Sequence, residues 1–376
     1  MHFTAEDDPR AIHAALRAAY NGSGPVLALG APIAEDAELP AGTVAVMTTS
    51  GSTGVPKSVV LSRSALTCSA MATADRIGSG AWLLALPASY VAGLQVLVRS
   101  LVQGHEPSYL SGKFTPMTFL TAAGLMNSSV GGVAVPRYTA LVPAQVQTLL
   151  DAADDPAVVG AVRSFAGVLV GGQALPMPMR ERAADLGWNL IRTYGSTETS
   201  GGCVYDGRPL DGTRLEIVDG EVRIAGPTLA DGYLGDPNRT AEVFPTDSDG
   251  VRWYRTGDGG SIDASGELRI DGRLDNVIIS GGVNVSLDRV ERVVRSVPGL
   301  ERAVVVGVPD DRWGQVPVVV LPAGEASAAA LLTEARGAVE SAVGVAGRPA
   351  RIVPLADFPY LSSGKPDRRA ITAAVS

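Results

Sequence analysis

The apolar positions of the chain fall into short alternating or continuous runs separated by small polar residues. Residues 43–47 (TVAVM) form one such run, the length of a buried strand, and pass at once into Thr48-Thr49-Ser50-Gly51-Ser52-Thr53-Gly54. Residues 115–126 and 144–153 carry apolar side chains at helical spacing. Val168–Val170 reads as a second buried strand that runs into Gly171-Gly172. In LEIVDGEVRI, Leu215–Ile224, two strands are joined by Asp219-Gly220, because Asp-Gly tolerates the left-handed backbone of a tight hairpin. Ser261–Ile270 repeats the pattern around Ser265-Gly266. Ala81–Val98 has no charged residue and is long enough to raise a membrane span. Pro87, Ser89, Tyr90, Gly93 and Gln95 interrupt it, so it predicts a buried strand, a loop and a buried helix.

Past Gly272-Arg273-Leu274-Asp275 the pattern changes. Asp288–Ser296 predicts a helix, Ala303–Val308 and Val316–Leu321 strands, and Ala326–Ala342 an alanine-rich helix. That is a small α+β unit of about a hundred residues, an ordinary domain size. The predicted fold class is α/β, with a boundary at Asp275. A large N-terminal domain (1–274) has mixed sheets, flanking helices and a β-rich subdomain, and a small α+β C-terminal domain (275–376) follows.

Composition narrows the chemistry. A net charge of -8 argues against a nucleic-acid partner, whose phosphates attract a basic surface. Cys68 and Cys203 have neither a metal-ligand spacing nor enough company for a disulfide framework. His2, His13 and His105 are too scattered to suggest a zinc site or a histidine-centred triad. The start, MHFTAEDDPR, is acidic and lacks an apolar signal segment, so a cytoplasmic protein with no membrane partner is expected. Of the 31 basic residues only Lys57, Lys113 and Lys365 are lysines. In so arginine-rich a chain, a lysine marks a place where a compact point charge is wanted.

Thr48–Lys57, TTSGSTGVPK, combines small residues whose backbone N–H groups can approach phosphate with hydroxyls and an ammonium. It is not a Walker loop, since Pro56 rather than glycine precedes Lys57. The run resembles the phosphate-binding loop of the adenylate-forming superfamily: acyl- and aryl-CoA synthetases, nonribosomal peptide synthetase adenylation domains and firefly luciferase. The superfamily's other motifs follow in order. Gly171-Gly172-Gln173-Ala174 is similar to the loop lining the adenine and acyl pockets. Tyr194-Gly195-Ser196-Thr197-Glu198 is similar to YGxTE. The resemblance implies that Glu198 holds Mg²⁺, Tyr194 stacks on adenine and Thr197 contacts the α-phosphate. Tyr254-Arg255-Thr256-Gly257-Asp258 resembles YRTGD, implying that Asp258 accepts from the ribose hydroxyls. Gly272–Asp275 resembles the hinge motif, with Arg273 on the nucleotide and Asp275 as pivot of a mobile C-terminal domain. Ser280–Val285, with Gly281 and Gly282, resembles the loop that shapes the thiol tunnel. Gly364-Lys365-Pro366-Asp367-Arg368 resembles the C-terminal GKxxR, whose lysine reaches the carboxylate and α-phosphate during adenylation.

Taken together, the resemblance implies ATP-dependent activation of a small carboxylic acid, with ATP, Mg²⁺ and coenzyme A. Thr48–Gly54 and Lys57 would serve the phosphates. Members often dimerise, so a homodimer is an open expectation. Two departures matter. Only 47 residues precede the phosphate loop. Leu86-Pro87-Ala88-Ser89-Tyr90-Val91-Ala92-Gly93 also carries Tyr90 where the superfamily usually has histidine, keeping a ring without an imidazole. Compactness and Thr139–Gln145 (TALVPAQ) resemble the actinobacterial branch of the o-succinylbenzoate–CoA ligases. That substrate reacts through its succinyl carboxylate, which leaves a benzoate to be recognised. Arg137, Thr139 and Ser196 are the expected contacts, with Tyr90 and Gly171 on the acyl pocket. Another acyl- or aryl-CoA ligase, a carrier-protein-loading enzyme and a non-catalytic nucleotide sensor remain open alternatives.

Overall fold

The computed structural model describes residues 1–4, 7–50, 56–323, 328–361 and 366–376. Gly51, Ser52, Thr53, Gly54 and Lys365 lie outside the described residues.

The fold is α/β. The apolar run at residue 43 becomes Thr43–Ser50, the middle strand of a five-stranded sheet ordered His2–Phe3, Leu27–Leu29, Thr43–Ser50, Pro56–Ser62, Gly232–Tyr233. The first three strands run parallel and the last two pairings are antiparallel. The register sets Met47 against Val59 and Thr49 against Lys57, which carries the start and end of the phosphate-loop sequence to one end of the sheet.

A seven-stranded sheet lies alongside, ordered Arg208–Pro209, Gly201–Tyr205, Leu190–Ser196, Gly167–Val170, Arg137–Leu141, Ala81–Leu84, Ser108–Tyr109. Its last five strands are parallel, and the inner three, Gly167–Val170, Arg137–Leu141 and Ala81–Leu84, are buried on both faces, as parallel strands usually are. Successive residues serve opposite cores because a strand repeats every second residue. Trp82, Leu84 and Leu169 pack with the helices Arg63–Ile77 and Val91–Gln103 and with the first sheet. Ala81, Leu83, Val168 and Val170 pack on the other face, against Phe119, Val146, Leu149 and Val162 from the helices Pro116–Gly124, Pro143–Asp151 and Pro156–Arg163. The uncharged stretch from Ala81 is thus a strand, a loop and a helix buried between sheets. Among the described residues no helix is long and apolar enough to cross a membrane.

Arg214–Val218, Glu221–Ala225, Trp253–Ile262 and Leu268–Arg273 form an antiparallel sheet. Its first turn is the expected one: Asp219 and Gly220 have φ of 51° and 79°, the left-handed pair that matches strand twist. This sheet ends at Arg273, and the next begins at Val277. That last sheet contains Val283–Ser286, Val277–Ser280, Gly314–Pro322 and Val304–Asp310, with Ile352–Leu355 parallel to Gly314–Pro322. Alternation works here too. Val305 and Val319 meet the helices Leu287–Val294 and Ala328–Ala342, while Val304, Val306 and Val318 meet Ile371 and Val375 of the helix Arg368–Val375.

Candidate active site

A cavity of about 970 Å³ opens where the carboxyl ends of three parallel strands meet the other two sheets of the first 273 residues. Leu141 and Val142, Gly171 and Gly172, and Gly195 and Ser196 lie at those strand ends and line it. The ends of parallel strands are where an α/β sheet exposes a crevice. Two glycines make the approach possible. A Cβ at Gly195 would stand 2.1 Å from the Gly201 carbonyl oxygen, and one at Gly171 would stand 2.4 Å from Thr193 Oγ1.

One end is polar. Thr48, Thr49, Pro56 and Lys57 line it, and the Thr49 hydroxyl is buried with no hydrogen-bond partner among the described residues. Lys57 Nζ is ion-paired with Glu198, which is only 3% exposed. Tyr233 OH donates to the same carboxylate at 2.9 Å. Burial pushes the Glu198 carboxyl up, but the Lys57 ammonium and these hydrogen bonds together hold it below the usual carboxylate range. Thr197 is buried beside it, its hydroxyl 3.8 Å from Met47 Sδ. Glu198 offers a hard oxygen to a cation. Among the described residues there is no group of three or more ligating side chains, so the donor set suits an ion that shares phosphate oxygens, as Mg²⁺ does.

A second wall carries Asp258 and Arg273, with Asp258 also hydrogen-bonded to Tyr194, which itself lies outside the lining. Tyr194 OH donates to Asp258 Oδ2 at 2.6 Å, and Arg273 Nη1 lies 3.4 Å from Asp258 Oδ1. Burial pushes the Asp258 carboxyl up, against the pull of Tyr194 and Arg273. Burial and the nearby Asp258 charge raise the Tyr194 phenol, which stays a donor. Arg273 also grips Asp275 with two bonds of 3.0 and 3.1 Å, and its backbone N–H donates to Asp288 at 2.7 Å. Ser196 Oγ is 3.4 Å from Tyr254 OH.

The remaining wall is apolar: Leu86, Pro87, Tyr90, Val91, Ala140 and Leu169. Tyr90 precedes the first residue of the helix Val91–Gln103. Gly93 lets that helix close on the loop, since a Cβ there would fall 2.1 Å from the Pro87 carbonyl oxygen. Arg99, two turns on, also lines the cavity and is only 3% exposed. Its guanidinium lies 4.8 Å from the Trp82 ring centre and donates to Tyr205 OH at 3.3 Å. Its Nε is buried with no hydrogen-bond partner, and no carboxylate among the described residues pairs with it. Burial lowers its proton affinity. Sequence reasoning missed Arg99. The available signal was a lone cation closing the uncharged run Ala81–Val98, on a helix otherwise apolar enough to be core.

Two expected contacts are corrected. Arg137 and Thr139 do not line the cavity. Arg137 begins its strand, at the end opposite the crevice, and is bound to Ser128 Oγ at 2.9 Å and the Ala123 carbonyl at 3.2 Å. Thr139 is buried mid-strand and donates to the Leu83 carbonyl at 2.9 Å. Tyr194, Gln173, Asp275, Gly281 and Gly282 also lie outside the lining, Gly281 being packed on the Trp313 ring. Leu361, from the C-terminal segment, does line it.

Residues 5–234 match the AMP-binding enzyme family, and residues 289–365 match the AMP-binding enzyme C-terminal domain. The chain is 39% identical over 332 residues to a Mycobacterium tuberculosis (strain H37Rv) protein described as a probable 2-succinylbenzoate–CoA ligase, covering 87% of this chain and 83% of that one. A variant of Escherichia coli MenE with bound OSB-AMS superposes with a TM-score of 0.72 at 27% identity, over 92% of this chain and 71% of the other. The amide bond synthetase McbA of Marinactinospora thermotolerans superposes with a TM-score of 0.74 at 26% identity, over 99% and 79%.

Proposed function

From the membership of this chain in the AMP-binding enzyme family, we propose that it is an acid–thiol ligase that adenylates 2-succinylbenzoate with ATP and passes the acyl group to coenzyme A, a step of menaquinone biosynthesis. The observation that carries the choice of acid is Arg99. A buried guanidinium with a spare N–H and no carboxylate partner, set in an apolar wall, suits the benzoate of a substrate whose other carboxylate reacts.

In this reading the triphosphate lies along Thr48–Lys57, and Lys57 leaves Glu198 for the phosphates. Glu198 would hold Mg²⁺, which neutralises phosphate charge when it binds with ATP. Asp258 takes the ribose hydroxyls, with Tyr194 and Arg273 keeping its oxygens oriented. The succinyl carboxylate attacks the α-phosphorus in line. The new P–O bond forms as the bond to the bridging oxygen breaks, and pyrophosphate leaves with that electron pair. Lys365 neutralises charge at the α-phosphate, and the Thr197 hydroxyl donates a hydrogen bond to it. The thiolate of coenzyme A then attacks the acyl carbonyl, and AMP departs. Residues 1–274 and 275–376 act as two domains that turn about Asp275 between the half-reactions, bringing Gly281 and Gly282 to the thiol path. That turn would break the 2.7 Å ion pair between Arg302 and Asp151.

A second reading takes an amine rather than a thiol as acceptor, and the likeness to McbA supports it. The test is AMP formation from ATP with 2-succinylbenzoate and a panel of benzoic, fatty and amino acids, each with coenzyme A or an amine. Preference for 2-succinylbenzoate with coenzyme A is expected. Turnover with an amine alone would favour the second reading, and no AMP with any acid would overturn both.

A further inference from the structure

Five basic side chains of the described residues line the cavity: Lys57, Arg99, Arg239, Arg255 and Arg273. Lys57 is paired with Glu198, Arg255 with Glu221 at 3.0 Å, and Arg273 with Asp258 and Asp275. Arg99 is accounted for by the benzoate. Arg239 has no carboxylate partner among the described residues, where its side chain instead rests on an aromatic face. Its guanidinium carbon lies 5.2 Å from the centre of the Tyr233 ring, and Lys57 Nζ lies 5.3 Å from the same ring. Tyr233 OH in turn donates to Glu198. Arg239 therefore stands at the phosphate end, not the acyl end.

The local chain holds it there. Gly232–Tyr233 is an edge strand on Pro56–Ser62, with Tyr233 opposite Val59. Asp236 caps the following helix, Pro237–Val243, by accepting from the Arg239 backbone N–H at 3.0 Å. Thr240 Oγ1 accepts from the Tyr233 N–H at 2.9 Å. A Cβ at Gly232 would collide with Thr240 Cγ2 at 2.4 Å, so glycine is what lets the helix fold back on its strand. Strand, ring and guanidinium form one clasp beside Lys57. Glu242, three residues on, lines the same wall without pairing to Arg239.

We propose that Arg239 binds the leaving pyrophosphate, exchanging the Tyr233 face for the β- and γ-phosphate oxygens. This rests on the adenylation reading. In the nucleotide-free site the charge of Lys57 is already matched by Glu198, whereas that of Arg239 has no carboxylate partner among the described residues. When the bond to the α-phosphorus breaks, the negative charge gathers on the departing pyrophosphate. A planar guanidinium can take two of its oxygens at once, which an ammonium cannot.

The test is ATP–pyrophosphate exchange with 2-succinylbenzoate, run for the wild-type chain, Arg239→Ala and Arg239→Lys, beside calorimetric binding of AMP. Arg239→Ala should raise KM for pyrophosphate about tenfold or more, the loss of one charged hydrogen-bonding contact. AMP affinity should stay within about twofold. Arg239→Lys should recover part of the loss, and it carries the test should the alanine variant fail to fold. Unchanged KM for pyrophosphate, or equal weakening of AMP and pyrophosphate, would overturn the assignment while leaving adenylation standing. Absence of exchange in the wild-type chain would overturn the adenylation reading and this assignment with it.

Discussion

Arg99→Met separates recognition from stability. In the free protein Arg99 is 3% exposed and faces no carboxylate among the described residues. Its contacts are the Trp82 ring at 4.8 Å and Tyr205 OH at 3.3 Å. A desolvated cation–π contact contributes about 2 kcal/mol. The desolvation cost of a buried charge is several kcal/mol, and methionine of similar length removes it. The free variant should therefore melt at the same temperature as the parent or higher. Binding goes the other way. Truncating one partner of a buried charge pair costs about 2–5 kcal/mol. At about 1.4 kcal/mol per decade that is roughly a 30- to 3000-fold fall in kcat/KM for 2-succinylbenzoate. A substrate without the benzoate carboxylate, 4-oxo-4-phenylbutanoate, should lose almost nothing. The assay is AMP release with each acid, alongside a thermal melt. Equal losses on both acids, or a large drop in melting temperature, would refute Arg99 as the carboxylate site and make it a structural residue.

Three further outcomes are expected. Lys365→Ala should abolish adenylate formation yet leave thioester formation from supplied acyl-adenylate largely intact; rapid-quench measurement of each half-reaction checks this, and equal damage to both would sink the two-conformation account. Glu198 has a folded-state pKa below its unfolded value, so its ionisation stabilises the fold above the ordinary carboxylate pKa, and that contribution is lost as pH falls through the depressed folded value. Melts of wild type and Glu198→Gln should then keep a constant gap from pH 7 to about 5, and the gap should close in acid below about pH 4.5; a pH-independent gap contradicts it. Gly195→Ala sets a methyl 2.1 Å from a backbone oxygen and 2.8 Å from Gly202 Cα, so it should destabilise by about 3 kcal/mol or more and reduce soluble yield, whereas wild-type stability would show that the strand end can shift.

Much of this protein was legible residue by residue. The continuous apolar runs at Ala81–Leu84 and Val168–Val170, the Asp219-Gly220 turn and the helix that follows Gly272 all rest on short-range patterns, and each of these elements stands where its residues predicted it. The resemblance was likewise carried by contiguous motifs, and Lys57, Glu198, Asp258 and Arg273 do line one cavity. Arg137 and Thr139 show where such reading stops. A strand's sequence tells which residues share a face but not which end opens on a crevice, because that depends on where the neighbouring strands finish. Arg99 shows the converse, a residue at the end of an apolar helical run that only the tertiary structure places on the cavity wall with a buried, unpartnered Nε among the described residues. The same limit governs the polar contacts. Lys57 meets Glu198 across 141 positions and Tyr194 meets Asp258 across 64. Local sequence determined the strands, turns and chemical groups, since side-chain periodicity and turn conformation act over a few residues. Only the tertiary structure decided which groups meet, because an ion pair or hydrogen bond depends on strand order and chain path that no local pattern encodes.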